Sequence, residues 1–212
     1  MKTTVFRLEG GDRQMPDPAL LAEIMVYEIP TLPAYSILAA SLEFSDPFFS
    51  EATSGNPDFA IDGNRLQVNP RQNYFGAQNR LIVHYAGIRD YSLLFPHIDT
   101  PALQQRLGQF AEEAEKAFDA GAWMSFVMMA GAVIEGLLSV QYHKRKFHQL
   151  IDSAQDSGLL SERDAQRVHD VREARNTIHA DRYQDPFVDR CLAMDIFQIY
   201  DQLIKRHWSA GA

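Results

Sequence analysis

The sequence has a single cysteine, few prolines in its second half and no excess of positive charge. Because Cys191 is alone, an intrachain disulfide is excluded. Cys191 falls in a helical apolar pattern with Leu192, Ile196 and Ile199, which predicts a buried structural thiol rather than a reactive one. The amino-terminal stretch MKTTVFRLEGGD lacks an apolar run of signal-peptide length, so the cytoplasm is the expected location.

The charge balance is acidic, with 28 Asp and Glu against 20 Lys and Arg and a formal net charge of -8. Proteins that coat nucleic acid by bulk charge need many Lys and Arg contacts to phosphate, so this class is excluded. A small local basic site remains open. The 212 residues and 46% hydrophobic content fit a folded protein of one domain, or of one domain with a smaller companion.

Several catalytic signatures are also missing. The only adjacent glycine pair, Gly10 and Gly11, is not followed by Lys-Ser or Lys-Thr, so no Walker phosphate loop is present. No Cys/His set has zinc spacing, and no serine stands in a nucleophile-elbow context. His84 and His97 are expected to be structural. The sequence therefore predicts neither a cofactor nor a metal site.

Proline usage divides the chain. Nine of the ten prolines occur up to Pro101 and only Pro186 follows, so long uninterrupted helices become allowed after position 101. We therefore expect an α+β protein with two parts. Residues 1–100 form a small mixed α and β region of unassigned role, and residues 101–212 form an antiparallel helical bundle.

In the first part, residues 16–28 (PDPALLAEIMVYE) predict a short helix entered through prolines. Residues 58–69 predict a hairpin that turns at Asp62-Gly63 or at Gly63-Asn64. A strand is expected at 80–88, and residues 35–44 fit either a strand or a helix.

In the second part, apolar spacing predicts five helices joined by short connections. Gly121, Gly158 and Ser161 mark boundaries, as a connection, a helix end and a helix start. The predicted helices are 102–119, 122–142, 145–157, 161–179 and 187–207.

The predicted helix 122–142 is apolar on nearly every side. Its length equals that of a membrane span, which takes ~20 residues. It nevertheless contains Glu135 and the polar Ser125, Ser139 and Gln141, and intramembrane carboxylates are costly. We therefore expect the central helix of a bundle and no membrane association.

Residues 171–181 (VREARNTIHAD) gather two arginines, an asparagine and a histidine in an acidic chain. On a continuous helix Arg172, Asn176 and His179 share one face, with Arg175 at its border and His169 one turn before. A solvated helix face with ordinary ion pairs would have the same composition.

Residues 108–207 resemble a HEPN domain, of the branch found in bacterial defence and restriction neighbourhoods. The resemblance rests on three features in order. A charged helix runs into an apolar helix with a single Glu (110–139), a short connecting helix leads to the Arg-Asn and His signature (147–181), and an amphipathic helix closes the domain.

The resemblance implies an all-α bundle that dimerises and, in active members, a metal-independent ribonuclease. In such a reaction Arg172, with support from Arg175, would bind phosphate, His179 would transfer protons and Asn176 would orient the site. His169 would be a second proton carrier if a dimer pairs two signature helices. Two registers stay open. The family motif has four to six residues between its Arg and His. Six residues separate Arg172 from His179, which meets this spacing, but Glu173 follows Arg172. Arg175 has the favoured neighbour Asn176, but only three residues separate it from His179.

Two further groups are candidates for supporting roles. Glu135 on the apolar helix is placed to pair with an arginine of the signature helix, because a buried carboxylate needs a partner. The basic residues Lys144, Arg145 and Lys146 could follow an RNA backbone, or could form a solvated helix start.

The sequence thus favours an RNA-binding protein of bacterial defence or toxin type that is a homodimer and acts as a metal-independent endoribonuclease through Arg172 and His179. The alternative is a noncatalytic helical module for dimerisation or for docking a protein partner. A nuclease needs His179 accessible beside a basic groove, whereas a docking module needs these groups paired and covered.

Overall fold

The computed structural model describes residues 1–14, 24–45, 59–68, 78–143, 145–177 and 179–208. The protein is mixed α and β, with strands in the first part and five α-helices in the second. It divides into two compact units, Met1–Asp90 and Tyr91–Ala212.

The first unit contains two antiparallel sheets. One sheet has the order β1-β7-β4 and the other has the order β2-β3-β6-β5. Buried Phe6, Leu81 and Val83 alternate with more exposed residues along β1 and β7, as expected for strands with one face on a core. The strands are β1 (Lys2–Leu8), β2 (Asp12–Gln14), β3 (Ile24–Glu28), β4 (Tyr35–Ser45), β5 (Phe59–Asp62), β6 (Arg65–Val68) and β7 (Gln78–Ile88).

The predicted hairpin at 58–69 is confirmed as β5 and β6, with Asp62 opposite Arg65. The turn residues are Gly63 and Asn64, and Gly63 takes a φ of 59°, which glycine adopts at little cost. The strand expected at 80–88 is confirmed as β7, and residues 35–44, which fitted either structure, belong to the strand β4.

The helix predicted for 16–28 is wrong at its carboxyl end, because Ile24–Glu28 forms β3. Residues 16–23 of that prediction lie outside the described residues. Met25 to Glu28 pair with β6, where Tyr27 is opposite Leu66 and both side chains are buried. Cross-strand packing and pairing therefore decide the structure of a short apolar run whose pattern fits both a helix and a strand.

The described part of the second unit has five α-helices, and the longest connection, residues 177–189, precedes the last of them. α2 packs against all four others, and its buried side chains include Phe126, Ile134 and Leu138. The five predicted helices are thus confirmed as elements, with differences at their ends. The helices are α1 (Pro101–Asp119), α2 (Trp123–Tyr142), α3 (Phe147–Asp156), α4 (Glu162–Asn176) and α5 (Arg190–Lys205).

The second unit begins ten residues before the predicted boundary of 100/101. A 3₁₀ helix at Tyr91–Leu94 packs on α1, and the Tyr91 hydroxyl donates a hydrogen bond to Glu115 Oε2 at 2.6 Å. A methyl group at Gly108 would lie 2.8 Å from the backbone nitrogen of Ser92, so glycine permits this close approach. Residues 91–100 therefore belong to the helical unit, although their prolines suggested the first part.

The apolar helix α2 is long and apolar enough to cross a bilayer by length and composition alone. The packing of α2 is that of a core helix. The other four helices contact it, and four of its side chains have no exposed surface: Val127, Ala130, Val133 and Ile134. A helix that is apolar all round and buried among other helices is a core helix. This packing favours the bundle interpretation over a membrane span.

Candidate functional site

α4 carries most of the candidate residues. It begins at the predicted place, because the Ser161 hydroxyl accepts a hydrogen bond from the Asp164 N–H at 3.2 Å and caps the first turn. Val168, Val171 and Ala174 face the core, so the polar residues lie on the other sides. The helix therefore presents Arg172, Arg175 and His169 along the edge of its buried face, where each is partly exposed.

Arg175 is held on three sides. Its Nη1 donates to Glu135 Oε2 at 2.7 Å, and its guanidinium lies 5.6 Å from the centre of the Phe147 ring. A methyl group at Gly131 would lie 2.8 Å from Arg175 Cδ, so the absence of a side chain there makes room for the arginine. The predicted pairing of Glu135 with an arginine of α4 is thus confirmed for Arg175, which joins α2, α3 and α4.

Arg172 is more accessible. A third of its side chain is exposed, and Nη2 lies 3.2 Å from Oε1 of the exposed neighbour Glu173. Its Nε atom is buried without a hydrogen-bond partner in the described part of the chain. Ion pairs between exposed neighbours contribute little, ~0–1 kcal/mol, so Glu173 does not commit this guanidinium to one geometry.

His179 does not lie on α4, and the prediction of a continuous helix 161–179 is wrong at its end. The helix ends at Asn176, where the Thr177 hydroxyl donates to the Ala174 carbonyl at 2.8 Å. His179 precedes a separate 3₁₀ helix, Ala180–Arg182, with its own φ and ψ of -75° and 132°. Arg172 and Asn176 therefore share a helix face, but His179 is placed by the following turn.

Both Asn176 and His179 are exposed. The His179 N–H donates to the Asn176 carbonyl at 3.3 Å, which links the helix end to the turn. The imidazole is therefore free to meet a ligand from solvent.

His169 lies one turn before Arg172 and faces α3. Its Nε2 atom is 3.5 Å from Oδ1 of Asp152, and a quarter of its side chain is exposed. A carboxylate beside one imidazole nitrogen fixes the direction of the ring and leaves the other nitrogen for a ligand.

The basic residues before α3 separate into different environments. Lys144 lies outside the described residues. Arg145 Nη1 donates to Ser153 Oγ at 2.8 Å, so its guanidinium lies along α3, whereas Lys146 is exposed at the helix start. His143, which follows the last residue of α2, takes a φ of 60°, which is uncommon for a residue with a side chain.

Two contacts fix the direction of α3 relative to α4. Phe147 at the start of α3 meets Arg175 near the end of α4, and Asp152 further along α3 meets His169 earlier in α4. The two helices are therefore antiparallel. Arg145 and Lys146, which precede Phe147, therefore lie at the same end of the α3–α4 pair as Asn176.

The connection after His179 exposes large apolar side chains that the sequence pattern did not single out as a surface. Tyr183 and Phe187 in this connection are 80% and 74% exposed, and Met194 on the following helix α5 is 41% exposed. Cys191 is also exposed, so the predicted buried thiol is wrong. α5 begins at Arg190 rather than 187, capped by Asp189, and its buried side is formed by Ala193, Ile196, Ile199 and Leu203. Aromatic residues beside Asp185-Pro186 were the available sign of an exposed connection.

The two histidines that were expected to be structural, His84 and His97, make contacts within their own units. His84 Nδ1 lies 2.9 Å from the Thr3 hydroxyl across β7 and β1. The His97 ring stacks on Trp208 with ring centroids 5.4 Å apart. Burial lowers the pKa of His97 to about 4, although the Asp99 carboxylate acts in the opposite direction and raises it. His97 is thus a neutral core histidine near pH 7. Within the described ranges, no group of three His, Cys, Asp or Glu could hold a metal ion.

The arrangement can supply a guanidinium for a phosphate, two imidazoles and an exposed lysine, all on α4 or the connections beside it. Comparison with known families finds that a family described as a domain of unknown function, DUF4145, matches residues 112–206. The matched region runs from within α1 to just past the end of α5, so it contains every candidate site residue discussed above. No curated protein and no solved structure matches the chain.

Proposed function

We propose that the protein binds RNA and cleaves it without a metal, using Arg172 to hold phosphate and His179 to transfer a proton. The proposal keeps the HEPN-like interpretation of the helical unit, a homodimer, and a bacterial defence or toxin role in the cytoplasm. The observation that carries the proposal is the antiparallel pairing of α3 and α4. This pairing brings Lys146 and Asn176 to the same end of the two helices, and Arg172 lies on α4 one helical turn before Asn176.

The accessibility of the groups supports the assignment. RNA cleavage by its own 2′-hydroxyl needs proton transfer and stabilisation of charge on phosphate. His179 is exposed, and its imidazole can both accept and donate a proton, whereas Arg172 offers forked donors that suit phosphate oxygens. Arg175 is already engaged by Glu135 and Phe147, so the register Arg172 to His179 is the better supported one.

The test is cleavage of a mixed RNA substrate in EDTA. We expect products with 2′,3′-cyclic phosphate ends, and a loss of ~10²-fold or more in His179→Ala, the usual effect of removing a general acid or base. Arg172→Ala should lose cleavage as well. Arg163→Ala is the matched control, because Arg163 is exposed on the same helix near its opposite end.

Binding is measured separately with a labelled single-stranded RNA. Lys146→Ala should weaken binding about equally across sequences and lower the slope of log K against log salt by ~0.7, as for one lost phosphate contact. Lys116→Ala is the matched control, since Lys116 is paired with Glu112 and Glu113 on α1. If the protein binds RNA without cleaving it, the proposed RNA-binding site is supported and the proposed nuclease activity is refuted.

A noncatalytic docking module is the second candidate, and a separate observation favours it. Tyr183 and Phe187 are exposed in the connection that follows His179, and both arginines of α4 discussed above lie beside carboxylates. If wild type neither cleaves nor binds RNA, this function takes precedence. Its own test is Tyr183→Ser with Phe187→Ser, which should abolish self-association in sedimentation while leaving the unit folded.

A further inference from the structure

The Asp152–His169 pair lies beside the proposed RNA site, although it is separate from the Arg172 and His179 pair. Asp152 comes from α3 and His169 from α4, and their facing atoms are 3.5 Å apart. More than half of the Asp152 side chain is exposed, whereas His169 is mostly covered. The imidazole therefore lies between α3 and α4, with a quarter of the His169 side chain exposed.

The position of His169 relative to Arg172 gives the pair its significance. Residues three apart on a helix are neighbours, so His169 and Arg172 present their side chains next to each other. Arg172 lies between His169 and Asn176, over a helix rise of about 10 Å from His169 to Asn176. A phosphate held by Arg172 would thus have His169 on one side and the turn with His179 on the other.

We propose that His169 is the general base of the cleavage reaction and that Asp152 positions it. This inference rests on the proposed function. Asp152 Oδ1 lies 3.5 Å from His169 Nε2 and would favour the neutral tautomer that carries its proton on Nε2, with Nδ1 as the proton acceptor. His179, exposed and on the other side of Arg172, is then the general acid.

The step balances in atoms and protons. The 2′-hydroxyl of RNA gives its proton to His169 Nδ1, and the 2′-oxygen forms a bond to phosphorus. The bond from phosphorus to the 5′-oxygen breaks, and that oxygen takes a proton from the His179 imidazolium. The products are a 2′,3′-cyclic phosphate and a 5′-hydroxyl, and proton exchange with water restores both histidines.

Two substrates separate the roles of base and acid. One is a single-stranded RNA oligonucleotide, and the other is uridine 3′-(4-nitrophenyl phosphate), whose leaving group departs without a proton. His169→Ala should be ~10²-fold or more slower on both substrates, because both need the 2′-hydroxyl deprotonated. His179→Ala should be slow on RNA and close to wild type on the nitrophenyl ester. His84→Ala, in the first unit, is the histidine control.

Asp152 is tested as a positioning residue. Asp152→Asn should slow both substrates, by less than His169→Ala does, because the amide can present its N–H to the ring and stabilise the wrong tautomer. Added imidazole should restore part of the activity of His169→Ala, a response that a purely structural role does not produce. His169→Gln, which preserves size, and the fluorescence unfolding curve establish that the helices remain assembled.

The outcomes are distinct. If His169→Ala cleaves both substrates at the wild-type rate while His179→Ala fails on RNA, this inference is overturned and the proposed function stands. If His169→Ala is slow on RNA but normal on the nitrophenyl ester, His169 is the acid and the assignment as base is wrong. If the wild-type protein cleaves neither substrate, the proposed function fails and the inference falls with it.

Discussion

Replacing Gly131 by alanine tests how closely α4 packs on α2. The added methyl group would lie 2.8 Å from Arg175 Cδ and 2.9 Å from Val171 Cγ1. Val171 is fully buried and Arg175 is tied to Glu135, so neither neighbour has free room to move. The substitution therefore forces the two helices apart or pushes side chains away from their preferred rotamers.

The magnitude follows from two opposed effects. Alanine is favoured over glycine inside a helix by ~0.8–1.0 kcal/mol. Overpacking a filled core costs ~1–3 kcal/mol. The second effect is larger at a site with two contacts below 3.0 Å, so we expect Gly131→Ala to lower the free energy of unfolding by roughly 1 kcal/mol.

The assay is denaturant unfolding followed by tryptophan fluorescence. Both tryptophans of the chain, Trp123 and Trp208, belong to the helical unit, so the signal reports that unit alone. The companion variant is Gly131→Ala combined with Val171→Ala, in which the removed methyl groups leave space for the added one. Because the two sites are in contact, Gly131→Ala should lower the free energy of unfolding by less in the Val171→Ala variant than in the wild type. A single Gly131→Ala variant that is more stable than wild type by ~1 kcal/mol would show that helix propensity acts without steric opposition, and the close packing would be refuted.

The remaining predictions concern pH, a half-buried ion pair and the thiol. The pKa of His97 is about 4 in the folded state against an ordinary value of 6.5, so the unfolded chain binds more protons between these values and stability is lost as pH falls from 6.5 to 4. The upper bound of this loss is ~3–4 kcal/mol, and solvent screening of the partly exposed ring lowers it. His97→Gln should flatten that part of the profile of unfolding free energy against pH, and an unchanged slope would contradict the prediction. Glu135→Gln should destabilise the helical unit by ~1–2 kcal/mol, between the values for exposed and buried pairs, and a loss below the error of denaturant titration would mean that Arg175 is held by packing alone. Cys191 should react with a thiol reagent in the native protein at the rate of the unfolded one, and protection in the native protein would be inconsistent with the exposed position.

The helical unit was the more predictable part of the fold. Gly121 and Gly158 take φ values of 70° and 75° at the connections where the sequence placed them, and Ser161 caps α4 as expected. The Glu135 pairing followed from one charge in an apolar helix, because such a carboxylate requires a partner. Which arginine it meets depended on the crossing of α2 and α4, which the sequence does not specify.

The wrong predictions, like the choice of arginine partner, concern features that tertiary contacts decide. The polar and apolar pattern continues past Asn176, and no glycine or proline marks the end of α4, so only the Thr177 side-chain bond to Ala174 reveals the stop. Cys191 lies at the border of a wide apolar face, and periodicity alone does not tell which edge of such a face meets the core. The positions of His179 and Asp152 relative to Arg172 are tertiary facts, which require the turn after α4 and the antiparallel course of α3.

Glu135 is the sole charged residue in the sequence of α2, Trp123–Tyr142, and its pairing with Arg175 has a consequence during synthesis. As the helix leaves the ribosome, before α4 exists, the insertion machinery meets 20 residues that are otherwise suited to a bilayer. An ionised side chain near the middle of such a segment adds about 2.5–3.5 kcal/mol to the free energy of insertion. The same carboxylate that fixes Arg175 in the folded unit therefore disfavours insertion of the nascent helix into a bilayer.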